Sequence, residues 1–273
     1  MTAAATPTPT FFPHRVEEVR PWADDNAVPF DEARRRFLQA ATVRAVAADL
    51  RLADRLVLQG AAALRLFCGL PRRSKDLDFI TRAPEPIGGP QPPSASLDAQ
   101  VKAAVHRGLR PRARGLAPAP AGFPDSVKVD VFLKPDPTES CLVQIPDPQA
   151  GGGVASVRVA VVEQLLASKL HAIVSAAWRP RRDRSRDVWD VTWVASNLTF
   201  EPASVARALR LALEEEGHPL AWDHMLPGDL KGRTQKRYDR SVPPSTWGAD
   251  WKPFPAAWRE LEELVLHIGR HAH

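Results

Sequence analysis

Cysteine is scarce in this chain. Its 273 residues include only Cys68 and Cys141, which lack the close pairing of a metal site and too few in number for a disulfide framework. They read as reduced thiols, so a cytoplasmic protein is expected. Long apolar runs are also missing. The N-terminal MTAAATPTPTFFPHR holds no stretch long enough for a signal-peptide core or a membrane span, and no membrane partner is expected. The eight histidines show no metal-ligand spacing, and neither a Ser/His/Asp nor a Cys/His order can be read from the chain. No segment repeats.

Charge is plentiful, and it is clustered. The formal net charge is +5 and the isoelectric point about 9.5. Five Lys or Arg lie between Lys102 and Arg114 without an acid, five Arg lie between Arg179 and Arg186 against Asp183 alone, and Lys231, Arg233, Lys236, Arg237 and Arg240 form a third group. Three such patches suit a long polyanion, because each phosphate neutralised adds affinity through counterion release. They equally suit the solvated surface of an arginine-rich protein.

The pattern of apolar residues divides the chain into an N-terminal arm, residues 1–28, a mixed core, residues 29–160, and a helical C-terminal domain, residues 161–273. The arm is rich in Ala, Thr and Pro and has no periodicity. Asp31 is a suitable N-cap for a helix in which Phe37, Ala41, Val46 and Leu50 recur at helical spacing. Leu56-Val57-Leu58 predicts a strand, Gln59-Gly60 a turn, AAALRLFCGL a helix, and Leu77 to Ile80 a second strand. A helix over LDAQVKAAVHRGL and strands at Val127 to Leu133, Cys141 to Ile145 and Val157 to Ala160 complete a small mixed sheet. Helices follow at Val162 to Ala176, Ser185 to Ser196, Pro202 to Glu216 and Pro255 to His267. The fold class expected is α/β (α+β). Trp178, Trp189 and Trp193 read as core, whereas Trp247 and Trp251 sit in a proline-rich stretch near the third basic patch.

Asp76 and Asp78 alternate on the second strand and therefore project from one face, while Leu77 and Phe79 turn to the other. Two parallel carboxylates repel unless a cation sits between them. Mg²⁺ is the oxygen-seeking ion that carboxylates commonly share with nucleotide phosphates. Asp130, between Val129 and Val131 on a later strand, supplies a third acid, enough for a site of two metal ions. Gly60, where strand gives way to helix, lets backbone N–H groups and a helix N-terminus meet a triphosphate. Ser74 and Arg73 are expected at the same nucleotide, with Arg72 nearby. Ser74 caps the turn or touches phosphate, and phosphorylating it would set about two negative charges beside the acids and repel the nucleotide, a regulatory device.

The order of these parts resembles the signature of the DNA polymerase β-like nucleotidyltransferases. More narrowly, LQGAAAL followed by RRSKDLDF resembles the AbiEii/AbiGii family, or MenT toxins, of type IV toxin–antitoxin systems. Ala61 stands where that family has a second Gly or a Ser, which removes one side-chain contact to phosphate. Lys169-Leu170-His171-Ala172 and Arg186-Asp187-Val188-Trp189-Asp190 resemble two further family blocks. The resemblance implies that NTP is the substrate, that NMP passes to the 3′ end of tRNA or another RNA and blocks translation, and that a separately encoded antitoxin is the partner. It also implies catalytic roles for Asp76, Asp78, Asp130, Lys169 and Asp187. From the residues alone, Lys169 lies on the apolar stripe of its helix, where it either snorkels to water or faces phosphate. Asp190 either serves with Asp187 or pairs with Arg186. Two other readings stay open: transfer to a small molecule such as an aminoglycoside, which needs an acidic pocket, and a non-catalytic nucleic-acid-binding relative.

Overall fold

The computed structural model describes residues 12–81, 94–116, 127–132, 139–150, 153–176, 183–218, 222, 225–226, 228–243 and 251–272. Trp178, Trp247 and the arginines from Arg179 to Arg182 lie outside them. The chain forms two compact units: a sheet unit of Thr6–Gly69 and Arg73–Ala160, and a helical unit of Val161–His273 that also takes Leu70–Arg72.

In the sheet unit, five strands, β1 (Leu56–Gln59), β2 (Asp76–Thr81), β3 (Lys128–Phe132), β4 (Ser140–Pro146) and β5 (Val154–Ala160), are ordered β3-β2-β1-β5-β4. The sheet is mixed: β1 is antiparallel to β2 and parallel to β5, β2 is parallel to β3, and β4 is antiparallel to β5. Strand β1 is central, so its Leu56, Val57 and Leu58 are all buried, as an uninterrupted apolar run requires. Strand β2 alternates instead. Leu77 and Phe79 enter the core, and Asp76 and Asp78 are half-buried on the opposite face.

Among the described residues this unit has five helices: α1 (Val19–Asp25), α2 (Phe30–Ala47), α3 (Leu50–Ala53), α4 (Gly60–Cys68) and α5 (Ser94–Arg112). Helix α2 begins one residue before Asp31, with Pro29 at the cap position, so Asp31 sits in the first turn rather than capping it. The acid still faces the positive end of the helix dipole there. Residues 12–28, expected within an arm, carry α1. Val19 and Ala23, one turn apart, join Ala33, Phe37 and Ala41 of α2 in one apolar cluster, and Phe12 is buried as well. The pattern was masked by the Ala/Thr/Pro run that precedes it.

In the helical unit, α6 (Val162–Ser175), α7 (Ser185–Asn197), α8 (Pro202–Glu214), α9 (Gly228–Ser241) and α10 (Phe254–Gly269) pack on one another. Helix α6 packs on α8, and Leu165, Leu166, Leu170 and Ile173 of the one and Val205, Leu209 and Leu213 of the other are all buried. Trp189 and Trp258 are almost wholly buried, each contributing about 1.5–3 kcal/mol or more by leaving water. The Trp258 indole also donates to Glu262 Oε1 at 2.6 Å. Helix α9 was not anticipated, because its surface is basic. Its apolar stripe is thin: Leu230, Thr234 and Tyr238 at i, i+4 and i+8 are its buried side. Among the described residues no helix is long and apolar enough to cross a membrane.

Candidate active site

Strands β2 and β3 bring the predicted acids together. Asp78 lies opposite Asp130 in the parallel register, and Asp76 lies opposite Lys128. Since Asp76 and Asp78 are two apart, and partners across a ladder share a face, all three aspartates project from the same side of the sheet. The neighbour across the other edge of β2 is Gln59 at the end of β1. Gly60 follows it in the left-handed region, at φ +73, and opens α4.

Gly60 is where the site is tightest. A Cβ at this position would stand 2.6 Å from Asp78 Oδ2, closer than any real contact. The missing side chain is therefore what lets the Asp78 carboxylate lie against the turn. Gly60→Ala is expected to cost about 1–2 kcal/mol from backbone strain alone and to push the carboxylate aside. The check is a urea melt together with a transfer assay; unchanged stability would show that the turn relaxes freely. Ala61, buried on the same turn, presents only a methyl.

A cation is already provided by the chain. Lys128 Nζ lies 2.5 Å from Asp130 Oδ2. The ammonium's pKa is raised by its hydrogen bond to Asp130 first, and also by attraction to Asp130, Asp76 and Asp78, so all three acids act on one positive charge. Lys128 was not anticipated, although its alternation with Asp130 on a strand was a sufficient signal. Three carboxylates and no sulfur or imidazole make a donor set for a hard, oxygen-seeking cation. Among the described residues no group of three or more His, Cys, Asp or Glu side chains is arranged to hold a metal ion.

The loop before β2 is built from buried polar groups. Ser74 is 6 % exposed. Its hydroxyl donates to the Asp76 carbonyl at 3.2 Å, and its own carbonyl accepts from Gln39 Nε2 at 3.1 Å. Ser74 thus caps the turn, and modifying it would require the loop to open. Arg73 is largely exposed, with Nε 3.4 Å from Glu32 Oε2. Glu32 also pairs with Arg36 and with the fully buried Arg65.

The helical unit gathers the remaining predicted residues. Lys169 Nζ on α6 lies 2.7 Å from Asp187 Oδ1 and 2.9 Å from Asp190 Oδ2, both on α7. The geometry decides against snorkelling, because the ammonium ends between two carboxylates. Burial opposes the Lys169 charge, yet Asp187 and Asp190 outweigh it and raise the pKa. Asp190 is 0 % exposed. Burial would push its carboxyl up, but Arg72 and Lys169 together hold it below the ordinary value.

Arg72, expected near the nucleotide, is buried, and it grips Asp190 with two nitrogens, Nη2 donating to Oδ2 at 2.6 Å and Nε to Oδ1. Such a forked pair is the strongest geometry a guanidinium and a carboxylate can adopt. Asp190 accordingly does not pair with Arg186, which is exposed. Asp187 takes a second cation instead, Arg184 Nη1 at 3.2 Å.

Over residues 43–264 the chain matches the family described as nucleotidyl transferase AbiEii toxin, type IV TA system. No curated protein matches it. Among solved structures, the nucleotidyltransferase toxin MenT4 from Mycobacterium tuberculosis H37Rv is similar at 19% identity and a TM-score of 0.47, over 93% of this chain and 98% of that one. JHP933 from Helicobacter pylori is similar at 19% identity and a TM-score of 0.37, over 87% of this chain and 91% of that one.

Proposed function

Because the chain belongs to the AbiEii nucleotidyl transferase toxin family of type IV toxin–antitoxin systems, we propose that it transfers a nucleoside monophosphate from an NTP to a 3′ hydroxyl of RNA, that of tRNA, and so blocks translation. The observation that carries this reading is the register placing Asp78 opposite Asp130, with Asp76 on the same face. A small-molecule acceptor such as a cationic drug would call instead for an acidic pocket.

In the reaction, the hydroxyl oxygen of the acceptor bonds to the α-phosphorus. The bond from that phosphorus to the bridging oxygen breaks, and pyrophosphate leaves. Asp130, the acid on the outer strand, takes the hydroxyl's proton, and Lys128 steadies the carboxylate before it does so. Gly60 opens the turn so that the backbone N–H groups at the start of α4 can meet the triphosphate. A divalent cation, Mg²⁺, held by Asp76, Asp78 and Asp130 would supply the charge neutralisation that phosphoryl transfer needs. Lys169 is assigned to the nucleotide's phosphates, as in the family's motif. Asp187 is the acid that aims it, and Asp190, locked by Arg72, is the fixed point of the group. The partner that controls the activity is a separately encoded antitoxin.

The test is incubation of the protein with each α-labelled NTP, Mg²⁺ and total tRNA. Label is expected in RNA with one or a few of the four nucleotides, and pyrophosphate should appear in equal amount. Failure to label any RNA from any NTP overturns the proposal.

A further inference from the structure

The sheet unit has a second concentration of charge far from the aspartates. A cleft of about 290 Å³ opens among the segment before α1, helix α2, the end of α5 and the turn from β4 to β5, and its walls include His14, Arg15, Arg44, Arg112, Arg114 and Asp147. Arg44 is 1 % exposed. Its Nη1 donates to the His14 carbonyl at 3.3 Å, and its Nη2 lies 3.2 Å from His14 Nδ1. A guanidinium can only donate, so Nδ1 accepts and the ring is neutral. Burial first, and Arg44 second, lower the His14 pKa in agreement.

The cations here outnumber the acids. Asp147 pairs with Arg112, and Glu17 lies 4.0 Å from Arg15. Among the described residues no carboxylate is within ion-pair distance of Arg44 or Arg114. Both Arg44 Nε and Arg112 Nε are buried with no hydrogen-bond partner. Those two nitrogens are enclosed by protein; what the cleft presents is an excess of positive charge, Arg15, Arg44, Arg112 and Arg114 against Glu17 and Asp147, and that excess fits an anionic ligand.

The cleft also continues a basic edge. Lys102, His106, Arg110 and Arg114 recur every fourth residue along α5 and just past it, and all four are exposed. At about 1.5 Å of rise per residue, they set a basic side chain roughly every 6 Å on the way to the cleft. Strand β5 runs parallel to β1 with Val159 opposite Leu58, so the β4–β5 turn is at the end of the sheet away from Gln59 and Asp78. Strand rise and strand spacing put the turn on the order of 20 Å from Asp78. A mononucleotide at the aspartates does not span that distance, whereas a polynucleotide does.

We propose that this cleft holds a backbone phosphate of the acceptor RNA, with Arg112 and Arg114 as its donors, the buried Arg44 adding positive charge from behind them, and the exposed edge of α5 meeting the neighbouring phosphates. That the strand is RNA rests on the proposed function; the cleft's demand for a phosphate does not.

The experiment is fluorescence anisotropy of the full chain with an end-labelled single-stranded RNA over a series of salt concentrations. Arg114→Ala removes an exposed side chain and leaves the fold alone. It is expected to weaken binding about tenfold, as for a lost charged hydrogen bond, and to lower the slope of log affinity against log salt by about 0.7. Asp147→Asn frees Arg112 and is expected to tighten binding, whereas a merely structural ion pair would give weaker binding or none. Unchanged affinity and slope in Arg114→Ala overturns the proposal, whatever Asp147→Asn does to its turn. The two readings fail separately. If no NTP labels RNA but Arg114→Ala still loses RNA affinity, the cleft stands and nucleotidyl transfer falls. If transfer occurs and Arg114→Ala binds RNA like the parent, only the cleft falls.

Discussion

Asp78→Asn is expected to lower nucleotide transfer about a thousandfold, ~4 kcal/mol in barrier height, without unfolding the protein. Asparagine keeps the volume that lies against Gly60, so the turn into α4 remains packed, but one of the three negative charges facing the triphosphate is lost. Asp78 is the acid opposite both Gln59 and Asp130 in the sheet, which makes it the one whose position is most constrained. Label incorporation measured beside a thermal melt separates the two effects. Activity within tenfold of the parent, at equal melting temperature, would remove Asp78 from the reaction. Asp76→Asn, on the same strand and face, should fall in the same range.

The second large effect is on stability. Asp190→Ala is expected to destabilise the helical unit by about 3–5 kcal/mol, because it leaves Arg72 and Lys169 buried without their shared counter-charge. A hydrophobic side chain in the same place does not help while the two cations remain. The pH dependence has a definite sign. Asp190's folded pKa is depressed, so between that value and the ordinary carboxylate range the unfolded chain binds more protons than the folded one. Its contribution is complete at neutral pH and is lost as pH falls below about 4 toward the folded value. The gap between urea melts of the parent and of Asp190→Ala should therefore be narrower at pH 3 than at pH 7, by about 1 kcal/mol at most. A constant gap between them would mean that the carboxylate's charge is not what holds Arg72 and Lys169.

The segment from Leu56 to Ile80 was legible because its signals are local. A central strand is apolar throughout, a half-buried one alternates, and a glycine must stand where a carboxylate crowds the turn. Lys169, Asp187 and Asp190 were singled out by the family's motif, whereas helical spacing alone left Lys169 open between water and phosphate and Asp190 between Asp187 and Arg186. What escaped notice depends on distant chain. Nothing in Pro71-Arg72-Arg73-Ser74 says that the first arginine is buried and the second exposed, because Arg72's partner is 118 residues away in the sequence. Helix α9 hid its thin apolar stripe under arginines and lysines, and α1 followed a proline-rich stretch that broke any period. Buried Arg44 was unreadable in a run of good helix formers, where an arginine is ordinarily a solvated one.

Lys128 has one more effect. The ammonium beside Asp130 offsets one of the three negative charges that strands β2 and β3 gather on one face. On the proposed function, a divalent ion held by these aspartates would enter by exchange, displacing that ammonium. Lys128 is mostly exposed, and a solvent-facing ion pair is worth little, so the exchange is cheap. Ion occupancy would then follow the ambient supply of metal closely.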